Sequence, residues 1–223
     1  MVDIQLNRRK FLLLAGGVLG AGAIATCAIS KMAATPGLPV LFPETNINNP
    51  SMTNKILVTY ASRTGFTGGV AEKIKKTLEE NGLQVDLCLM KNVRDLSSYQ
   101  AVVAGSAVQD RQWLPEAMEF MKIHQKALSQ KPFAAFMVCM TLAMPNAEKY
   151  REGIMEWLNP VRELVKPVSE GFFAGGLDIA KIPSLGARIK FRISVLVGVW
   201  KEGDHRDWEA IDQWSTDLKN ILA

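Results

Sequence analysis

The stretch that decides the fold is Ile56 to Leu78, ILVTYASRTGFTGGVAEKIKKTL. Three consecutive apolar residues that favour strands, Ile56, Leu57 and Val58, lead into a loop of small hydroxylated residues and glycine. A helical pattern follows at once, with Val70, Ala71, Ile74 and Leu78 on one face. The order is strand, loop, helix. In the loop Ser62, Thr64 and Thr67 carry hydroxyls and Gly65 lets backbone come close to a ligand. The loop amides stand at a helix N-terminus, where partial positive charge collects. Such a loop holds a phosphate without a lysine. The spacing Ser62-x-Thr64-Gly65-x-Thr67 is not GxGxxG, and it lacks the Gly-Lys-Ser/Thr ending of a nucleotide P-loop.

The chain around it has 223 residues, 48% hydrophobic and 22% charged, which is globular composition sized for one core domain. The net charge is +4, and a segment ending at Ser30 would take Arg8, Arg9, Lys10 and Asp3 with it and leave a mildly basic +2. No nucleic-acid partner is expected. Cys27, Cys88 and Cys139 form no CxxC or Cys/His cluster, and His124 and His205 are isolated, so neither a disulfide framework nor a metal site is expected.

Residues 1–30 form the first of three segments. Arg8-Arg9-Lys10-Phe11-Leu12 precedes a Leu/Gly/Ala/Val run that ends near Ile29, and this order resembles a twin-arginine export signal. The run would reach about 28 Å as a helix, enough to span a bilayer, so cleavage near Ala25 and retention as an anchor are both open. Export of a folded protein places the domain on the outer face of the cytoplasmic membrane or in the periplasm. It also suits a domain that takes up its cofactor before transport. Residues 31–54, with Pro36, Pro39, Pro43 and Pro50, read as an extended linker.

Residues 55–223 alternate strand and helix. Val85, Leu87 and Leu89 make a second strand, Ala101 to Ser106 a third, Phe133 to Met140 a fourth and Gly171 to Gly175 the core of a fifth. Helical patterns run from Leu114 to Leu128, from Asn146 to Val165 with Pro160 expected to kink or divide it, and from Asp207 to Leu222. Asp95 to Tyr99 reads as a turn or short helix. The alternation predicts a doubly wound α/β sheet with helices on both faces. Between the fifth strand and the last helix, Leu177 to Arg206 is long for a connection. Arg188, Lys190 and Arg192 alternate there with Ile189, Phe191 and Ile193. With period two this is a basic edge hairpin; with period 3.6 it is an interfacial helix facing a membrane surface or an anionic substrate.

The Ser/Thr-x-Thr-Gly-x-Thr loop resembles the FMN phosphate loop of flavodoxins. That resemblance implies a five-stranded parallel sheet of order 2-1-3-4-5, with FMN at the switch point between the first and third strands; flavodoxins are themselves the standing example of that rule. The cofactor loops it implies are Ser62, Arg63, Thr64, Gly65, Phe66 and Thr67 after the first strand, Ser106, Ala107 and Val108 through Trp113 after the third, and Thr141 and Leu142 after the fourth. Trp113 is read either as a flat partner for the flavin or as an aromatic packed on the core, with Gln109 and Arg111 beside it. Tyr60 is read as core, and Cys139 as a buried, inert thiol. Together with Gly105-Ser106-Ala107-Val108 and the closing Gly203-Asp204-His205-Arg206-Asp207-Trp208-Glu209, the pattern looks like the flavodoxin-type, menaquinone-dependent protoporphyrinogen oxidases.

These readings lead to an FMN-dependent oxidoreductase passing electrons between a substrate, anionic or porphyrin-like, and a quinone or redox protein. No general acid or base stands out, so the cofactor carries the chemistry. The alternative is a flavodoxin-type electron carrier without a substrate of its own, a role that a mildly basic chain fits less well.

Overall fold

The computed structural model of the protein describes residues 37–45 and 55–222. Strand β1 (Lys55–Ala61) is flanked on both edges by parallel partners. On one side β2 (Gln84–Leu89) runs in register from Lys55↔Gln84 to Tyr60↔Leu89. On the other, β3 (Tyr99–Gln109) pairs from Ile56↔Ala101 to Ala61↔Ser106 and carries the two-residue antiparallel strand β4 (Gln112–Trp113) at its end. Beyond β3 lie β5 (Phe133–Cys139) and β6 (Ser169–Ala174), both parallel. The order β2-β1-β3-β5-β6 is the expected 2-1-3-4-5 once the short β4 is set aside.

Alternation along β1 divides the core into two layers. Ile56, Val58 and Tyr60 meet Val70, Ala71, Ile74 and Leu78 of helix α1 (Phe66–Glu80) and Ile211 and Leu218 of the closing helix. Leu57 and Ala61 face the opposite layer, where Ala117 and Met121 of α2 (Pro115–Ile123) lie with Leu158. A strand buried on both faces has no polar side to show, which is why β1, β3 and β5 read as continuous apolar runs.

The helical stretches are more broken than their periodicity suggests. Leu114 to Leu128 divides at His124 into α2 and a single turn, α3 (Gln125–Leu128). Asn146 to Val165 becomes 3₁₀ turns alternating with α4 (Arg151–Met155) and α5 (Asn159–Leu164), and Pro160 stands in the first turn of α5, where its missing N–H costs nothing. Asp95 to Tyr99 forms a turn and no helix. Between β7 (Gly176–Leu177) and β8 (Gly203–Asp204), which pair antiparallel, the long connection carries α6 (Leu185–Leu196). The helical period is the right one there, and the edge hairpin is not formed. Arg188 is a correction, because it is buried rather than on an outward basic face and its Nε donates to the Ile182 carbonyl at 2.6 Å. The closing helix α7 (Trp208–Leu222) is held by a cluster of edge-on rings, Phe136–Trp214 at 6.2 Å and Phe173–Trp214 at 5.5 Å, and by the Trp214 indole N–H on Ser169 Oγ.

Within the stretch expected to be a free linker, residues 37–45 lie on the domain: Thr45 N donates to the Leu87 carbonyl at 2.8 Å and Leu38 N to the Ala180 carbonyl at 3.0 Å. The export signal and the remainder of the linker fall outside the described residues. No helix among the described residues is long and apolar enough to cross a membrane, and no group of acidic, His or Cys side chains among them could hold a metal ion.

Gly105 sits opposite Phe136 in the β3–β5 ladder, and the ring lies over the glycine where a Cβ would stand. Gly105→Ala is therefore expected to cost about 1–3 kcal/mol by overpacking. In a Phe136→Leu background the same change should cost at least about 0.5 kcal/mol less, a coupling readable by denaturant unfolding of the four proteins. Equal costs in both backgrounds would place the strain elsewhere.

Candidate functional site

Because β1, β3 and β5 are parallel, their C-terminal ends lie along one edge of the sheet, and the loops singled out in the sequence meet there. At the end of β1 the chain turns through Gly65 at φ 87°, a left-handed conformation natural to glycine, and Ser62 Oγ accepts the Gly65 N–H at 3.1 Å. Helix α1 starts at Phe66 with no side chain capping it. Its first intrahelical bond runs from Gly69 N to the Gly65 carbonyl, so among the described residues the amides of Phe66, Thr67 and Gly68 have no partner. Three free N–H groups at the positive end of a fifteen-residue helix form an anion cradle. Thr67 is buried, Thr64 is half-buried, and the Ser62 hydroxyl, used above only as an acceptor, keeps its proton to donate. Arg63 turns away to the surface, with Glu116 Oε2 at 3.1 Å.

The loop after β3 differs from expectation. The strand continues through Ala107 and Val108 to Gln109, turns at Asp110 and Arg111, and returns as β4, with Val108 opposite Trp113. Both turn residues have positive φ, 51° and 64°, as a two-residue hairpin requires, so Gln109 and Arg111 point along an exposed hairpin tip. Trp113 is 2% exposed and belongs to the core layer of α2. It has taken the packed position rather than that of an open platform, and its indole N–H has no partner among the described residues. Ser106 is spent on the fold: its Oγ accepts the Leu114 N–H at 3.0 Å and donates to the Ala107 carbonyl at 2.8 Å, tying β3 to the start of α2.

After β5, Thr141 and Leu142 lie half-buried in a 3₁₀ turn, Met140–Ala143. Cys139 just before them is buried, and burial pushes its thiol up to about 11 against the N–H groups of Leu142 and Thr141, which pull the other way. Cys88, also buried, is pushed up to about 12, by burial first and then by its bond to Glu44. Tyr60 is core, as read, but its hydroxyl reaches out to donate to the Pro43 carbonyl at 2.9 Å.

A set of contacts around Phe66 was not visible in the sequence. Its ring covers Gly176, and the Arg206 guanidinium stacks on it, 5.1 Å from its centroid, with the Trp208 ring 4.2 Å away on that cation. Arg206 also donates to the Phe66 carbonyl at 3.2 Å and forks onto Asp204 at 2.7 and 2.8 Å, which holds the Asp204 carboxyl below the usual range. The base of the long connection is thereby pinned to the phosphate loop. Gly203-Asp204-His205-Arg206 was the available signal, but sequence alone did not say what it touches.

A model of the flavodoxin domain matches residues 57–197. The chain belongs to the flavodoxin domain family. FMN is that family's cofactor, and its members are redox proteins that pass electrons to protein partners. Among solved structures the chain is similar to a flavodoxin from the domain Archaea (18% identity, covering 75% of this chain and 98% of that one, TM-score 0.46). It is also similar to oxidised flavodoxin 2 from Bacillus cereus (25%, 63% and 99%, 0.43). A third likeness is to rubredoxin oxygen:oxidoreductase from Desulfovibrio gigas (16%, 77% and 36%, 0.46). These likenesses concern the fold alone. Among curated proteins none matches. The residues of this flavodoxin domain fit the phosphate end of FMN, since uncapped amides and a close-approach glycine stand where an anion would be held.

The raised thiols give a pH dependence with a definite sign. Each stabilises the fold fully below the ionisation range of an exposed thiol, roughly pH 8.5, and that contribution is lost as pH rises through the folded values near 11 and 12. Stability should therefore fall from about pH 9 upward, and Cys139→Ala should flatten the fall in thermal or denaturant unfolding. Iodoacetamide at neutral pH should label neither thiol until the protein is unfolded. Ready labelling of Cys139 in the native state would contradict its burial.

Proposed function

We propose that this flavodoxin-family chain is an FMN-dependent oxidoreductase that passes electrons between a substrate and a quinone or redox-protein partner. The observation that carries the reading is the uncapped first turn of α1 behind the left-handed Gly65. Phe66, Thr67 and Gly68 amides hold the phosphate, with the hydroxyls of Ser62, Thr64 and Thr67 around it. Backbone of Ala107, Val108, Thr141 and Leu142 flanks the ring end. When bound, FMN supplies the electron-transfer chemistry, and the protein positions it and keeps water from it.

Support for an enzyme rather than a simple carrier comes from α6. Its inner face packs Ala187, Phe191 and Val195 on the buried Leu177, Ile179 and Ile182, on which Met140 of the turn after β5 packs as well. Its outer face exposes Ile193, Leu196 and Val197, with Leu196 85% exposed, flanked by exposed Lys190 and Arg192. An apolar stripe between two cations suits a lipid surface, where a lipid-soluble quinone is met. The resemblance of the closing segment to menaquinone-dependent protoporphyrinogen oxidases supports the same acceptor and an anionic ring substrate. The paired Arg8-Arg9 supports export, which puts this stripe against the outer leaflet of the cytoplasmic membrane.

Purified protein should show a flavin spectrum, take up FMN in preference to FAD, and reduce a quinone in vesicles. Thr64→Ala and Thr67→Ala should each weaken FMN by about 1–3 kcal/mol in fluorescence titrations. Colourless protein whose melting temperature ignores added FMN would sink the cofactor reading. Flavin-loaded protein that exchanges electrons with redox proteins but never with quinone would leave the carrier.

For export, changing Arg8 and Arg9 together to lysine keeps the charge and should abolish transport of the folded domain, measured by fractionation. A lysine variant exported as well as the parent shows that general positive-inside anchoring is at work instead.

A further inference from the structure

The nine residues 37–45 are extended and Pro-rich, and they run across the molecule from the long connection to the far edge of the sheet. At one end Leu38 N donates to the Ala180 carbonyl at 3.0 Å, and Gly37 lies against the Arg188 guanidinium, whose nitrogen is 2.7 Å from where a Cβ on that glycine would stand. At the other end Thr45 pairs with Leu87 through its N–H at 2.8 Å and through its hydroxyl, which accepts the Leu87 N–H at 2.5 Å. Glu44 accepts the Leu89 N–H and the Asn92 amide, both at 2.9 Å. Burial works against its ionisation, but those bonds, the Cys88 thiol and Lys91 outweigh it and hold the carboxyl below its usual range.

Between these ends the segment crosses the phosphate loop. A Val40 methyl is 2.9 Å from the position of a Cβ on Gly65, and the Pro43 ring sits 3.2 Å from that of one on Gly68. The Pro43 carbonyl takes the Tyr60 hydroxyl. Two features of the crossing matter. It touches Gly65 and Gly68 mainly through apolar atoms, and no acceptor in it bonds the Phe66, Thr67 or Gly68 amides, so it leaves the anion cradle free. Pro39 to Phe42 also make no hydrogen bond to the rest of the domain among the described residues, and Leu41 is 90% exposed. Between its hydrogen-bonded ends the span is held by packing, Phe42 on the core layer of α1 and Val40 on the loop, and by the Tyr60 hydroxyl.

We propose that residues 37–45 are a retaining strap: Val40 closes the phosphate loop at Gly65, and the anchors on Ala180, Tyr60, Leu87 and Leu89 keep the bound cofactor's phosphate from leaving. This rests on the reading that the loop holds FMN. A cover that leaves the donors free acts on escape, so its effect belongs in the dissociation rate. It acts at the phosphate end, so a flavin without phosphate gains little from it.

The test uses the full chain loaded with FMN or with riboflavin, and follows flavin release by fluorescence after mixing with excess apoflavodoxin as a trap. Three proteins are compared with the parent: Glu44→Ala with Thr45→Val, which frees the far anchor; Tyr60→Phe, which removes one hydroxyl from an otherwise intact core; and Val40→Gly. Hydrogen exchange at the Leu38 and Leu87 amides reports whether the strap has loosened. FMN release is expected to quicken by about tenfold or more in the double variant and by less in the single ones, with association changed by under about twofold and riboflavin release nearly unchanged. Parent-like FMN release from a variant whose amides exchange fast overturns the strap alone. So does faster uptake with tighter binding, since the segment would then be an obstruction. A parent that takes up no flavin overturns the reading of the loop, and the strap with it.

Discussion

The left-handed turn at Gly65 is the constraint on which the rest of the structure depends. A strand buried on both faces must hand its chain to a helix on one of them within a few residues, and the reversal needs a positive φ that other residues take only at a cost. Once it is made, α1 lies over Ile56, Val58 and Tyr60, and its first amides have no side chain to satisfy them. The same turn that closes the core therefore leaves an electrostatic deficit at the start of the helix. Fold and anion affinity have one cause here.

What surrounds the turn is built on close approach. Phe66 lies over Gly176, Arg206 fills the space beside Gly69, and the Pro43 ring fills the space beside Gly68. Beside Tyr60 of β1, which also meets Gly68, the partners of this turn come from the strap and from the two arms of the long connection, so segments remote in sequence depend on the loop's shape, and the loop on theirs. The stacked Arg206, bonded to both Asp204 and the Phe66 carbonyl, is half of this coupling, and the strap is the other half.

The parallel sheet, its order and the phosphate loop were legible because they rest on local signals: continuous apolar strands, a hydroxyl- and glycine-rich turn, and period 3.6 in the helix after it. The hairpin at Asp110-Arg111 was not, since its residues carry none of the Asn-Gly or Gly-Gly chemistry that announces such a turn, and polar loop and polar hairpin have the same composition. Trp113 was poised between two readings because an aromatic at a strand end packs inward or outward according to what β4 does. Arg188 misled for a related reason: periodicity marks which side of a helix a residue is on, but not that a carbonyl at Ile182 awaits it. The strap left no trace at all. Its anchors are mostly backbone groups and one carboxylate, and a Pro-rich polar segment reads alike whether tethered or free.

Two of these omissions have a common direction, because they cover the phosphate loop: Arg206 on Phe66 and Val40 on Gly65. A bare carrier works by leaving its redox edge open to many partners, so added cover would slow it. Cover is useful where the approach must be selective, and here the covering pieces are joined, because Gly37 and Leu38 sit on the same Ala180 to Arg188 segment that leads into α6. On the readings proposed above, a surface engaging the outer stripe of α6 would press on the element to which the strap is tied, because Arg188 of that helix lies against Gly37 and bonds the Ile182 carbonyl while Lys190 and Arg192 face outward.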